Sequence, residues 1–339
     1  MNPGRQHDDS IKTAVISGCF LLLTLAACSP SSTTLIPVET AIIPTHASPT
    51  PEASFTSPAS LTVEFNPTST PSLTTTPATI NSWQNLPIIP ESISEGVREI
   101  YHLGLNRGNN PHIFSRIGDC ISAAPYFLVG FDKNYNLGAY TFLQPAIDYF
   151  RGSFERPSLA AKNGLNTAGL LSTFWTGEQC RDKETLLDCQ YRLDNPSFAI
   201  ISIGSNEAYY IRRDPASFEK GMRSVIEDTI SRGIVPILGT KADNLEGNHA
   251  INATIARLAQ EYEIPLWNFW RATSTLPLQG MIDEAHLTTV SYANFTDFSI
   301  PRSMEYGTQV RNLTALKLLD FLRIQLGGTS AVGVETSTP

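Results

Sequence analysis

The chain has 339 residues, 41% of them hydrophobic, and a formal net charge of −8. That length is ample for one folded domain with a real core. The acidic balance, with no basic patch and no aromatic–basic stripe, argues against a nucleic-acid partner.

The N-terminus reads as a targeting segment, residues 1–27. Arg5 and Lys12 precede an apolar run from Ala14 that ends in Leu25-Ala26-Ala27-Cys28. The run is too short for a comfortable membrane span, which needs about 20 apolar residues. Small residues before a cut site are what a signal peptidase reads. The Leu-Ala-Ala-Cys sequence resembles a bacterial lipoprotein box. That resemblance implies cleavage before Cys28, lipidation of its thiol and an extracytoplasmic chain anchored to the membrane rather than spanning it. A plain signal peptide with an incidental cysteine, or an uncleaved anchor, is the competing reading.

Residues 28–86 are dominated by Ser, Thr and Pro, and Ser29 to Asn85 contains no Lys or Arg. Such a stretch cannot bury enough apolar surface to offset its ordering entropy. It reads as a disordered, semi-extended spacer. A folded domain is expected over 87–326 and a frayed tail over 327–339.

Within the domain, strand-like runs alternate with helical patterns, which favours a parallel sheet. Strands are expected at 112–117, more weakly at 159–162, then at 198–203, 233–238 and 264–269. Phe218, Met222, Val225, Ile226 and Ile230 recur at helical spacing over 215–232. Asp214 and Pro215 suit the start of that helix, and Gly233 its stop. Ile251, Ile255, Leu258 and Tyr262 mark a helix over 250–262, and a leucine series marks a last one over 310–326. The pattern fits a three-layer α/β/α domain. Ligands bind such sheets outside the carboxyl ends of the strands, where Cys120, Asn206 and the Lys241-Ala242-Asp243 turn all fall.

The domain carries three cysteines, Cys120, Cys180 and Cys189. An odd number outside the cytoplasm suggests one bridge and one free thiol. Cys180 with Cys189 closes a small loop and is the expected pair. A bridge from Cys120 to either one is the competitor, and it would make Cys120 structural. No Cys-x-x-Cys or His-Glu-x-x-His spacing occurs, so no metal site is expected.

Three short blocks occur in order: Gly118-Asp119-Cys120, Gly204-Ser205-Asn206-Glu207 and Asp283-Glu284-Ala285-His286. The ordered set resembles the SGNH/GDSL hydrolase family, over most of residues 112–325. In that family a Gly-Asp-Ser block supplies the nucleophile, Gly-x-Asn-Asp an oxyanion donor, and Asp-x-x-His the base and its orienter. The resemblance implies a flavodoxin-like parallel sheet of about five strands and hydrolysis of acyl or acetyl esters, of glycans or lipids, with no cofactor. Residue by residue, it makes Cys120 the nucleophile in place of serine, His286 the base, Asp283 its orienter and Asn206 an oxyanion donor. The remaining donor is Gly164, by its proximity to the second strand, with Thr167 the competing occupant of that place. Glu207 stands where the family more often has Asp.

Each residue also has a plainer explanation. Cys120 at a helix N-terminus is expected to have a lowered pKa, whereas a buried or bridged cysteine would be inert. His286 alone reads as a surface histidine, and Asn206 as a turn residue. Asp119 is expected to support backbone. Trp175, Trp267 and Trp270 are either core or the walls of a sugar- or acyl-binding cleft. Lys241 and Asp243 are either a turn or site residues. The leading expectation is a monomeric, membrane-tethered ester hydrolase. The alternatives are a catalytically impaired protein that binds envelope glycan or another ligand on this scaffold, and a structural envelope lipoprotein.

Overall fold

The computed structural model describes residues 83–211, 214–290 and 294–327. The expectations for the leader, for Cys28, for nearly all of the spacer and for the tail beyond Gly327 lie outside these residues. The elements in chain order are α1 (Glu95–Asn106), β1 (Asn110–Gly118), α2 (Cys120–Ala123), α3 (Gln144–Tyr149), α4 (Thr167–Leu170), α5 (Leu186–Asp194) and β2 (Pro196–Ser202). They continue with α6 (Ala208–Ile211), α7 (Pro215–Ser231), β3 (Val235–Gly239), α8 (Ala250–Glu261), β4 (Leu266–Trp267), α9 (Phe269–Ser274) and α10 (Gly307–Gly327). Short 3-10 turns lie between them. Among the described residues no helix is long and apolar enough to cross a membrane.

The sheet is parallel, with strands in the order β1-β2-β3-β4. It has four strands where about five are expected. The missing one is the weak run 159–162, which shrinks to a single parallel bridge between Ala161 and Gly118. Gly118 N–H donates to Ala160 O at 2.9 Å, and Lys162 N–H donates to Gly118 O at 3.1 Å. Leu-Ala-Ala-Lys lacks the β-branched and aromatic side chains that fit a pleated surface, so the pairing stops after one residue. That bridge lies on the edge of β1 opposite β2. The chain therefore leaves β1 to one side and returns to the other, which makes the carboxyl end of β1 the switch point of the sheet.

Helices cover both faces. Tyr101 of α1 stacks on Phe198 of β2, Phe150 packs edge-on against Phe114 and Phe198, and Arg98 donates to Gln325 O in α10. On the opposite face Ser115 of β1 donates to Asp194 of α5, Tyr191 of α5 meets Thr229 of α7, and Arg223 of α7 pairs with Glu261 of α8. Residues 114, 198 and 202 point one way and 115 the other, the two-residue alternation of a strand. β2 is buried along its whole length, as a central strand covered on both faces must be. The expected helix ends hold at the C-terminus of α7, where Gly233 takes φ +71° just past the last helical turn. A side chain there would also strike the Gly104 nitrogen, 2.4 Å from a built Cβ. Asp214 occupies the N-cap position, but its side chain makes no capping bond.

Trp83–Asn85, at the end of the expected spacer, form a 3-10 turn with Trp83 buried. Asn268 Nδ2 donates to the carbonyls of Trp83 and Leu86, at 2.9 and 3.0 Å. Cys180 and Cys189 form a disulfide, and Cys120 is a free thiol. The cluster of Cys180, Glu184 and Cys189 has both its sulfurs in that bond.

Candidate active site

The first block turns sharply off β1. A Cβ on Gly118 would lie 2.0 Å from Ser202 O and 2.5 Å from Ser122 Oγ, so only glycine admits this approach. Asp119 is the N-cap of α2, accepting from Ile121 N–H at 3.3 Å. Its other carboxylate oxygen accepts from Ser205 N–H at 3.3 Å. This ties the ends of β1 and β2 together, the supporting role expected of it. Asp119 is fully enclosed, and burial, then the nearby Asp243 charge, raise its pKa while Arg311 opposes them.

Cys120 is half-buried at the first position of α2. Its thiol is not activated as expected. Burial and then the adjacent Asp119 charge push it up, to about 11. Ile121 N–H pulls the other way, but α2 has four residues. One turn carries little dipole, too little to offset desolvation beside a carboxylate.

The second block is knitted to the segment after the Ala161 bridge. Asn206 Nδ2 donates to Leu165 O at 2.8 Å, and Glu207 Oε1 accepts from Thr167 N–H at 2.6 Å. Thr167 N–H is thus committed. Gly164, exposed and at φ +78°, has no such bond from its N–H among the described residues. The Glu207 carboxyl is raised by burial to about 7, and its Oε2 is buried without a partner among the described residues.

Behind these blocks lies a buried polar chain. Ser205 Oγ donates to Asp243 Oδ2 at 2.6 Å, and Lys241 Nζ pairs with Asp243 and Glu246, each at 2.6 Å. Lys241 and Asp243 are both buried. They hold the turn after β3 rather than face solvent.

The third block is the tip of a short hairpin. Met281 and Leu287 pair antiparallel, and Ile282 N–H donates to His286 O at 2.8 Å. Asp283 Oδ1 accepts from the N–H groups of Ala285 and His286 at 2.8 and 2.7 Å, the local turn that Asp makes with its own backbone. His286 Nδ1 lies 2.9–3.0 Å from both Asp283 oxygens. Asp283 is held down to about 2, first by the Ala285 N–H and then by His286. An ionised Asp283 fixes the proton on Nδ1 and leaves Nε2 as the acceptor. Both side chains are more than half exposed, 60% for His286 and 55% for Asp283. Among the described residues no hydrogen bond joins Cys120 to His286. Asp283 and the turn carrying Asp243 both contribute to the lining of one cleft of about 840 Å³.

Sequence reasoning missed two groups. Arg311 of α10 is buried against the rings of Phe127, Trp267 and Phe269, at 4.3, 4.9 and 5.0 Å. It donates to Ser122 Oγ and Ser202 Oγ at 3.3 Å. Burial lowers it to about 10, against the charges of Asp119 and Cys120. Tyr126 follows α2, and its hydroxyl lies within electrostatic reach of Arg311 and Cys120. The tryptophans mostly read as core: Trp267 is fully buried, and Trp270 packs on Trp83 and His249. Trp175 packs partly buried against the core, and its carbonyl accepts from Lys162 Nζ.

No family model and no curated protein sequence matches the chain. Among solved structures it is similar to a putative lipolytic protein of the G-D-S-L family from Desulfitobacterium hafniense, at 17% identity over 61% of this chain and 99% of that one, TM-score 0.37. It is also similar to an acetyl xylan esterase from Geobacillus stearothermophilus, at 14% identity over 61% and 94%, TM-score 0.38. A further acetyl xylan esterase aligns at 15% identity over 60% and 96%, TM-score 0.35.

Proposed function

We propose that this chain is an ester hydrolase of the SGNH/GDSL kind, with Cys120 as nucleophile, His286 as base then acid, Asp283 as its orienter, and Asn206 with the N–H groups of Cys120 and Gly164 as oxyanion donors. The observation that carries the reading is the Asp283–His286 pair, whose two carboxylate contacts to Nδ1 leave Nε2 as proton acceptor. In support, Asp119 links the turn bearing Cys120 to Ser205, and Ser205 links on to Asp243 in the cleft that Asp283 lines.

A thiol near 11 is protonated at neutral pH, so attack must move its proton. Cys120 Sγ bonds to the ester carbon as the Sγ–H proton passes to His286 Nε2. The carbonyl pair moves onto oxygen, which the oxyanion donors hold. Collapse expels the alcohol, which takes the proton from His286, and leaves a thioester. Water, deprotonated by His286, then attacks the thioester. The carboxylic acid leaves, and the proton returns to sulfur. Among the described residues no hydrogen bond joins Cys120 to His286, so in this reading the exposed hairpin closes on bound substrate.

The second reading, a binding protein on a hydrolase scaffold, is favoured by that same gap and by the raised thiol. Hydrolysis of acetyl and longer acyl esters by wild type, Cys120→Ala, Cys120→Ser and His286→Ala decides between them. Turnover lost in Cys120→Ala and His286→Ala supports the enzyme. Inert wild type and Cys120→Ser favour the binder.

The tether belongs to the same proposal. Its basis is the Leu25-Ala26-Ala27-Cys28 run and the Ser/Thr/Pro composition that follows. Cys28→Ala should abolish acylation of the mature N-terminus in a lipoprotein-competent host, and an unacylated wild type would remove the tether from the reading.

A further inference from the structure

A second cleft, of about 600 Å³, opens beside α2 and is lined by Tyr126, Phe295, Lys133, Asn134 and Asn294, among others. Its lining includes a ring pair: Tyr126 and Phe295 lie 4.6 Å apart at 31°. The pair is pinned by one buried side chain. Asn312 of α10 donates to Tyr126 O and Phe295 O, at 3.1 and 3.0 Å, and accepts from Leu128 N–H at 2.8 Å. A buried amide with three backbone bonds to two separate segments holds the cleft open and its rings in place before any ligand arrives. Tyr126 stands six residues after Cys120, on the turn that leaves α2, and its hydroxyl has no hydrogen-bond partner among the described residues.

We propose that this cleft is a carbohydrate subsite, taking the ring of a neutral sugar on the alcohol side of the ester. The proposal rests on the ester-hydrolase reading for its link to Cys120, not for the binding itself. The volume falls within the range of small-molecule sites, about 300–1,000 Å³, and is far more than an acetyl group needs. The lining combines two aromatic rings with the amides of Asn134 and Asn294. A pyranose has that division, with an apolar C–H face to lie on a ring and hydroxyls at its edge that both donate and accept. Asn294 Oδ1 already accepts from Thr296 N–H and Oγ1–H, at 3.2 and 3.0 Å, so its NH2 and the exposed amide of Asn134 are what the rim offers a hydroxyl. Lys133 pairs with Glu155 at 3.3 Å through exposed side chains, a weak surface pair, and the proposal for a neutral sugar rests on the rings and amides instead. Tyr126, one of the lining residues, is within electrostatic reach of the thiol.

Calorimetric titration of the full chain with unesterified β-1,4-linked tetrasaccharides of glucose, xylose and N-acetylglucosamine tests this. At least one should bind, with Kd of roughly millimolar or tighter. Phe295→Ala should weaken that Kd by about tenfold or more, and Cys120→Ala should leave it unchanged. Asn134→Ala, at an exposed position, should weaken it by about threefold and keeps the test sound if Phe295→Ala fails to fold. Absence of binding by all three at about 10 mM, or binding indifferent to both Phe295→Ala and Asn134→Ala, overturns the proposal. Saccharide binding with no ester turnover would instead sink the hydrolase reading alone.

Discussion

Asn206 reaches the carbonyl of Leu165 with its Nδ2, 2.8 Å away. One amide hydrogen is thereby committed to the segment that carries Gly164, and one remains for a substrate oxygen. In the proposed mechanism the same side chain both shapes the donor loop and serves in it. Asn206→Ala should lower turnover of a small ester by about 10²–10³. It should also cost about 1 kcal/mol of stability, the net worth of a hydrogen bond. Steady-state kinetics alongside denaturant melts checks both. A stability loss with unchanged turnover would make Asn206 a loop anchor only.

The thiol yields a prediction independent of substrate. Because burial and Asp119 raise Cys120 to about 11, its thiolate fraction at pH 7 is small. Alkylation by iodoacetamide should be slow there and still climbing at about pH 10, by close to tenfold per unit. A rate that levels off below about pH 8 would mean a low-pKa thiol and would restore the activating helix terminus that sequence spacing suggests.

The disulfide closes a short loop, with a sequence separation of 9. On chain entropy that is worth about 2–3 kcal/mol. The double change Cys180→Ser, Cys189→Ser should lower stability by that order while Cys120 keeps its alkylation rate. A large change at Cys120 would mean that the bridge shapes the site as well as the fold.

What could be read in advance followed from chain proximity. The Asp283–His286 spacing is that of a single Asx turn, so the pair meets within one hairpin tip. Cys180 and Cys189 are nine positions apart and meet likewise. β2 and β3 announced themselves as unbroken apolar runs. Leu159 to Lys162, alanine-rich and flanked by Pro157 and Gly164, gave a weak signal and became a single bridge. Arg311 left no local trace. In sequence it is one basic residue in a leucine-rich helix, and only the packing of α10 brings it within electrostatic reach of Asp119 and Cys120. The thiol's raised pKa was illegible for the same reason, since it depends on how deeply the Asp119 turn is enclosed. The Tyr126–Phe295 pair joins residues far apart in sequence through Asn312, which no spacing rule reveals.

Glu207 sets a pH dependence on the fold itself. Its carboxyl is raised from an ordinary 4.5 to about 7, chiefly by burial, and its Oε2 has no partner among the described residues. The folded chain therefore prefers the protonated form. Below the unfolded value both states hold the proton, and the fold bears no penalty. Between 4.5 and about 7 the unfolded chain ionises first, so stability falls as pH rises, and the loss is complete above about 7. The shift corresponds to about 3 kcal/mol as an upper figure, and relaxation or a water reaching Oε2 would reduce it. Glu207→Gln keeps an acceptor for Thr167 N–H and removes the charge. It should be more stable than wild type by about 1–3 kcal/mol at pH 8 and nearly equal to it at pH 4.5. Urea melts across that range read the difference directly. A difference of the same size at both pH values would show that Glu207 does not titrate there. The Thr167 N–H bond favours the ionised form, so the cost falls on the buried Oε2, where an ionised Glu207 must draw in water beside the segment that Asn206 holds through Leu165.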